Sequence, residues 1–173
     1  KDIMEFLAER LRIQLRNAGE RHDVLGAAFA VGADDVIPRL LARTEAIAAL
    51  LGTEDGANLL TGFRRAANIL RIEDRKDGPH HGAPDDALLE SSEERSLAHH
   101  LDNAWDAIET FLKDENFEGA MAELASLRAP LDAFFDRVTV NDPDPDLRRN
   151  RLRLLNRVRA TMDRVADFSK IEG

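Results

Sequence analysis

The chain has 173 residues, with 24 Lys and Arg against 33 Asp and Glu, a formal net charge of -9. This length suits one ordinary domain, and the acidic total argues against a generic basic nucleic-acid-binding protein. Cysteine is absent, which excludes a disulfide scaffold, a thiolate metal site and a cysteine nucleophile.

Apolar residues recur with the 3.6-residue period of an α-helix along nearly the whole chain. In the first half of the sequence this pattern predicts helices over 3–15, 24–31 and 36–51. A fourth helix is expected from Thr53 to about Lys76. No apolar run approaches the ~20 residues that a membrane helix needs, so we expect no membrane partner.

Residues 77–92 interrupt the helical pattern with glycines and prolines and are expected to form a loop. Four more helices are then predicted, over about 93–113, 117–127, from Pro130 onward, and about 146–167. Strand signals are nearly absent. The sequence therefore predicts an all-α bundle of about eight helices, one domain over 1–173, in which the loop separates a helical group at 1–76 from another at 93–173.

Charge is distributed unevenly over this bundle. Residues 1–83 contain 12 bases and 13 acids, residues 84–147 contain 4 bases and 17 acids, and residues 148–173 contain 8 bases and 3 acids. The whole-chain value therefore hides a basic C-terminal element. Of the 24 bases, 20 are Arg, for which a genome rich in G and C is the simplest explanation.

Residue patterns of enzyme active sites are scarce. There is neither a Gly-rich phosphate loop nor a Gly-x-Ser-x-Gly sequence. His22 and Asp23 resemble part of the metal site of helical phosphohydrolases, but no earlier histidine precedes them, and an Asp at a helix start is the favoured interpretation. His80 and His81 lie in the Gly/Pro-rich loop, where we expect them to be solvated. The sequence thus predicts no catalytic, cofactor or metal site.

The last predicted helix contains two classes of arginine. Its apolar stripe consists of Leu147, Leu154, Leu155, Val158, Met162 and Val165. A helical wheel places four arginines on the opposite face as a continuous positive ridge: Arg149, Arg153, Arg157 and Arg164. Arg151 falls inside the apolar stripe, where an unpaired cation is costly. We expect Arg151 to be a structural, buried residue, paired with Asp132 or Asp136.

The fourth predicted helix has a matching polar row. Its members follow one another at i, i+4, i+7 and i+11 along one flank: Arg64, Asn68, Arg71 and Arg75. Arg side chains in such a row can contact phosphates and an Asn can read a base edge. The alternative interpretation is an ordinary solvated helix face. Exposed aromatic residues for base stacking are hard to find in the sequence.

Three sequence blocks resemble a known family. They are Phe-Arg-Arg-Ala-Ala-Asn-Ile-Leu at 63–70, Pro-Leu-Asp-Ala-Phe-Phe-Asp-Arg-Val-Thr-Val at 130–140, and the Arg- and Leu-rich 149–155 segment leading to Val-Ala-Asp-Phe-Ser-Lys-Ile at 165–171. Their order and spacing resemble the C-terminal region of the β subunits of bacterial glycyl-tRNA synthetases, the type with two α and two β chains.

The resemblance implies a helical anticodon-binding domain of the DALR type within a cytoplasmic glycine–tRNA ligase. The implied partners are tRNA-Gly, the remainder of a longer β chain and the α subunit of a heterotetramer, with no DNA. In that family ATP and Mg²⁺ are used in the α subunit, so this fragment alone is expected to be non-catalytic and to need no cofactor. The missing initiator Met agrees with a fragment of a longer chain.

With the resemblance, both basic faces become candidates for tRNA contact: Arg64, Asn68, Arg71, Arg75, Arg149, Arg153, Arg157 and Arg164. The acidic surface of 84–147 would repel RNA, and we expect it to face away from the tRNA. The alternative function is a structural or docking module of the synthetase assembly that does not itself contact RNA.

Overall fold

The protein is described here by a computed structural model, which covers residues 6, 9–10, 13, 23–24, 26–27 and 37–172. Over 37–172 the chain forms six α-helices: α1 (Ile37–Leu51), α2 (Glu54–Asp77), α3 (Ser92–Lys113), α4 (Phe117–Ser126), α5 (Arg128–Arg137) and α6 (Pro145–Asp163). Single 3-10 turns lie at Asp86–Leu88 and Phe168–Lys170. The described residues contain no strand, so the predicted all-α class is confirmed.

The predicted number of about eight helices is not matched, because the described residues contain six α-helices. The first two predicted helices fall before Ile37, where only isolated positions are described. Of these, Val24 and Ala27 are helical and fully buried, whereas Phe6, predicted on an apolar stripe, is 59% exposed. His22 lies outside the described residues. None of the described helices is long and apolar enough to span a bilayer.

Local sequence signals fix where the helices begin. The Thr53 hydroxyl accepts a hydrogen bond from the Gly56 amide at 3.0 Å and caps α2. At the start of α3, Ser91 and Glu94 form a reciprocal capping box, with N–H···O distances of 3.0 and 2.7 Å. Pro145 opens α6, where a missing N–H costs nothing. Each cap satisfies amide groups that the helix itself leaves unpaired.

Helix α6 contributes a broad buried face to the bundle. It packs against α2 on one side and α3 on the other, while α5 also contacts both of these helices. Its buried face is consequently wider than the predicted stripe and includes Leu152 and Asn150. The almost fully buried side chains that complete this core come from α2, α3 and α5: Leu59, Leu70, Leu97, Leu101, Ile108, Leu131 and Phe134.

The C-terminal segment closes the bundle against α2. Phe168 is 1% exposed, and its ring centroid lies 6.0 Å from that of Phe63. The Asp167 amide donates to the Ala27 carbonyl at 3.1 Å, so this segment also joins the early part of the chain to α6. The two ends of the described chain therefore share one core.

Helices α2 and α5 approach each other closely at Gly62. A Cβ at this position would lie 2.8 Å from Leu131 Cδ2, so a side chain here would require the buried Leu131 side chain to move.

Phe134 and Phe135 test this packing, because Phe134 is fully buried and Phe135 only half-buried. We expect Phe134→Ala to lower the free energy of unfolding by about 3–5 kcal/mol. Phe135→Ala should cost clearly less. Urea denaturation followed by far-UV circular dichroism measures both values, and equal losses would contradict the described burial.

Candidate nucleic-acid interface

The polar row of α2 lies at the surface. Asn68, Arg71 and Arg75 are exposed, and Arg71 Nη2 donates to Asn68 Oδ1 at 2.8 Å. Arg64 is half-buried and donates to the carbonyl of Ile171, which anchors the C-terminal segment to α2. Three of the four predicted residues are thus available to a partner on one flank of a helix, and the fourth also has a structural contact.

Arg149 lies at the same end of the molecule as Arg75. Its side chain is 53% exposed and lies 3.3 Å from Asp146 Oδ1 within α6. It also approaches Asp77 at the end of α2, whose pKa is lowered first by the hydrogen bond from Arg148 and to a smaller extent by the Arg149 charge. Arg149 is therefore an exposed base of α6 near the end of α2.

The other ridge arginines do not form a continuous exposed surface. Arg157 lies over the Trp105 ring at 4.7 Å and pairs with Asp102 at 3.3 Å. Arg164 lies over the same ring at 4.2 Å and donates to the Trp105 carbonyl at 3.2 Å. Guanidinium groups stack well on aromatic faces. These two residues therefore join α6 to α3, a contact that a wheel of one helix cannot predict.

Arg153 is covered by the loop between α2 and α3. It is half-buried, and its Nε lies 3.8 Å from the position that a Cβ on Gly82 would occupy. Of the four arginines that the wheel grouped together, Arg149 is therefore the one that is exposed rather than half-buried. Contact with RNA by any of the four stays a prediction.

Arg151 is buried, with 6% of its surface exposed. Its Nε donates to Glu94 Oε1 at 2.7 Å, and its Nη1 donates to Asp142 Oδ2 at 2.8 Å and to the Thr139 carbonyl at 2.9 Å. Glu94 is fully buried and is the residue whose other oxygen closes the α3 capping box. One carboxylate thus holds both the start of α3 and the middle of the bundle.

The predicted partners of Arg151, Asp132 and Asp136, are wrong. Asp132 pairs instead with Arg128 on the same helix, at 3.0 Å, and Asp136 is exposed. The helical wheel predicted that Arg151 points into the core, but it contains no information on which helix packs against that side. The beginning of α3, with Glu94, occupies that position.

His80 is buried, contrary to the expectation of a solvated loop. It is 6% exposed, its Nδ1 lies 2.7 Å from Asp74 Oδ1, and its Nε2 lies 3.2 Å from Asp77 Oδ1. His81 is exposed, as expected. Asp74 and Asp77 lie three residues apart in the last turn of α2. This spacing could have predicted that both carboxylates share one cationic partner, but it does not identify that partner as His80.

The loop is fixed at a second point by Asn150. The Asp85 amide donates to Asn150 Oδ1 at 2.7 Å, and Asn150 Nδ2 donates to the Asp85 carbonyl at 3.0 Å. Asn150 is 1% exposed. A buried side-chain amide here satisfies both backbone groups of a loop residue, which lets the loop lie against α6 without unpaired polar atoms.

Arg148 is the structural residue that sequence reasoning missed. Its guanidinium donates to Glu73 Oε2 at 2.6 Å and to Asp77 Oδ2 at 2.7 Å, which joins the end of α2 to the start of α6. These contacts raise the pKa of Arg148. Hydrogen bonds from Lys76 and Arg148 lower the pKa of Glu73 despite its burial. Part of the basic charge of 148–173, at Arg148 and Arg151, is therefore neutralised by buried carboxylates.

Within the part of the chain that the structure describes, no group of three or more His, Asp or Glu side chains is gathered where it could hold a metal ion.

Comparison with known proteins gives one consistent family signal. The profile of the DALR anticodon binding domain matches residues 59–172. Glycine–tRNA ligase beta subunits are similar over nearly the whole chain: that of Rhodospirillum centenum is 52% identical over 99% of this chain and 24% of its own length. That of Phenylobacterium zucineum is 49% identical over 99% of this chain and 26% of its own length. The chain thus spans about a quarter of the relatives it matches.

Arg151 and Arg149 lie on the same helix, so substitutions of the two provide a matched test of the buried Arg151–Glu94 pair. Arg151→Ala leaves Glu94 buried and unpaired, so we expect a loss of about 3–5 kcal/mol in the free energy of unfolding. Arg149→Ala removes an exposed side chain and should change it by no more than about 0.5 kcal/mol. Urea titration measures both, and similar values for the two variants would contradict the burial of Arg151.

Acid should weaken the same pair. Burial raises the pKa of Glu94, but hydrogen bonds from Arg151 and the Ser91 amide outweigh it, so the net pKa is lowered. The stabilisation is therefore complete above the unfolded-state pKa, about 4.3, and is lost as pH falls through the lower folded-state pKa. Glu94→Gln should be less stable at pH 7 and should lose less stability on acidification, as measured by denaturation between pH 7 and pH 3. An unchanged acid dependence would contradict this role.

Proposed function

Because this chain belongs to the DALR anticodon binding domain family, we propose that it binds the anticodon arm of tRNA-Gly as part of a glycine–tRNA ligase β chain. The names of the relatives that match almost all of it support this substrate. The observation on which the proposal rests is the exposed row Asn68, Arg71 and Arg75 on α2, to which α6 adds the exposed Arg149.

The chemistry of this surface suits an RNA backbone. Arg75 forms no ion pair among the described residues, and Arg71 contacts the neutral Asn68 rather than a carboxylate. Both guanidinium groups can therefore donate two hydrogen bonds to a phosphate. Residues three and four apart lie side by side on a helix, so successive members of the row can contact successive phosphates of one RNA strand. Arg64, Arg153, Arg157 and Arg164 are secondary candidates because each has a structural contact.

The packing order is consistent with an acidic surface that faces away from the tRNA. Helices α5 and α6 each contact both α2 and α3. We propose that the exposed acids of α3, among them Asp102 and Asp106, are separated from the α2 row and face away from the RNA. Repulsion between these acids and RNA is weakened by that separation and by salt.

The catalytic chemistry is proposed to lie elsewhere. The family resemblance of the sequence assigns ATP and Mg²⁺ to an α subunit in a heterotetramer, and we propose that this chain supplies no catalytic or cofactor-binding residue. Its proposed protein partners are the remainder of a β chain, as the greater length of the relatives suggests, and the α subunit. The proposed location is the cytoplasm.

A docking role is the second candidate function, and one observation favours it. A groove of about 760 Å³ between α1 and α4 has Ala46, Phe117 and Met121 in its lining, with Glu45 and Glu118 also present. Such a surface suits a protein partner better than RNA, because carboxylates repel phosphate. The two functions are compatible, since the groove and the α2 row are formed by different surfaces.

Removal of charge from the α2 row tests RNA binding. In the full-length protein, Arg71→Gln with Arg75→Gln should weaken binding of tRNA-Gly and lower the slope of log K against log salt by about 0.7–0.9 for each phosphate that is no longer bound. Stability should not change, because both side chains are exposed.

Lys113→Gln is the control for charge removal, since Lys113 is an exposed cation at the end of α3. It should leave both the affinity and the salt slope unchanged. Fluorescence anisotropy with labelled tRNA at several salt concentrations measures these quantities. If the double variant binds like the wild type, the α2 row does not contact RNA and the docking function is favoured.

A further inference from the structure

A small cleft lies beside the α2 row, between α2 and α5. Its volume is about 350 Å³, and its lining includes Asn58, Thr61 and Arg65 from α2 and Arg128, Phe135 and Asp136 from α5. Gly62, where the two helices approach each other, is also part of its lining. The volume is at the lower end of the range of small-molecule pockets, which suits one planar ring system rather than a large ligand.

The cleft contains a stacking platform. The Arg65 guanidinium lies 4.3 Å from the centroid of the Phe135 ring. The Phe135 ring covers one face of the Arg65 guanidinium. Arg65 is exposed and forms no ion pair among the described residues, so the other face of the guanidinium is open to a ligand. Arg planes of this kind stack on unpaired nucleobases.

Two further groups in the cleft have unused hydrogen-bonding capacity. Asp136 is exposed, and no cation pairs with it among the described residues; the side-chain amide of Asn58 likewise has no partner there. Arg128 differs, because it pairs with Asp132 at 3.0 Å and lies 3.5 Å from Asp55. The open groups are therefore one carboxylate acceptor, one amide and one stacking cation.

The cleft is continuous with the proposed phosphate-binding row. Asn58, Thr61, Arg65 and Asn68 follow one another at spacings of three and four residues along α2, and Arg71 and Arg75 continue from Asn68. A strand whose phosphates contact Arg71 and Arg75 can therefore place a neighbouring base over Arg65.

We propose that this cleft holds one unpaired base of the RNA loop and selects a base with an exocyclic amino group. The inference rests on the proposed function. The base stacks on Arg65, its amino group donates to the Asp136 carboxylate, and Asn58 contacts another polar atom of its edge. A carboxylate accepts from the amino group of cytosine, whereas uracil presents an oxygen at the corresponding position and is repelled.

The test uses the full-length protein and the anticodon-arm hairpin of tRNA-Gly as the probe. In a set of hairpins, each loop base other than uridine is replaced in turn by uridine, and affinities are measured by fluorescence anisotropy. We expect the wild type to lose about 5- to 100-fold in affinity at one loop position, the discrimination typical of a specific base contact. Asp136→Asn should abolish the loss at that position and leave the other hairpins unaffected.

Matched variants separate the contributions. Asp106→Asn removes an exposed carboxylate on α3 and should keep the discrimination intact. Arg65→Lys retains the charge but not the planar group, so it should weaken binding of all hairpins without changing the salt slope. An unchanged thermal melting midpoint for Asp136→Asn shows that folding is preserved, and Asp136→Glu, which retains the carboxylate, should keep part of the discrimination.

The outcomes distinguish this inference from the function on which it rests. If the wild type binds the hairpin in a salt-dependent manner but Asp136→Asn still discriminates against uridine, the cleft assignment is overturned and the RNA-binding function stands. Binding without discrimination at any loop position also overturns the cleft assignment alone. If the wild type does not bind the hairpin, both proposals fail.

Discussion

The buried ion pair between Arg151 and Glu94 is the constraint on which the rest of the bundle depends. A charge in the interior is tolerated only when a partner and hydrogen bonds accompany it, and here Glu94, Asp142 and the Thr139 carbonyl supply them. Because Glu94 belongs to the start of α3 and Asp142 to the segment before α6, the pair sets how three parts of the chain are arranged around one guanidinium.

The same principle explains the arginine content of the last helix. Arg148 pairs with the end of α2, and Arg157 packs on Trp105 of α3. Long side chains with an apolar stem and a planar charged end can bridge neighbouring helices at their polar margins. Several arginines of α6 therefore bridge it to α2 and α3, and the RNA-binding surface that we propose is provided mainly by α2.

Local features of the fold could be predicted from the sequence, and pairings between helices could not. Thr53, the glycines and Pro145 start or end helices through contacts with residues next to them in the sequence. The predicted helix limits therefore lie close to the observed ones. The partner of Arg151 and the burial of His80 depend on which helix packs where, and a single-helix wheel contains no such information. Likewise, the cleft at Arg65 and Phe135 needs two helices brought together at Gly62, although both residues stand in sequence blocks that carried the resemblance.

The loop between α2 and α3 is held by His80 at one point and by Asp85 at another, only five residues further on. A protease must bind an extended stretch of chain, and a segment this short with both ends anchored cannot provide one without breaking buried hydrogen bonds. A composition rich in Gly, Pro and His ordinarily identifies a place where a chain can be cut or lengthened. In this protein the same composition covers the central helix, and we expect it to resist both nicking and insertion.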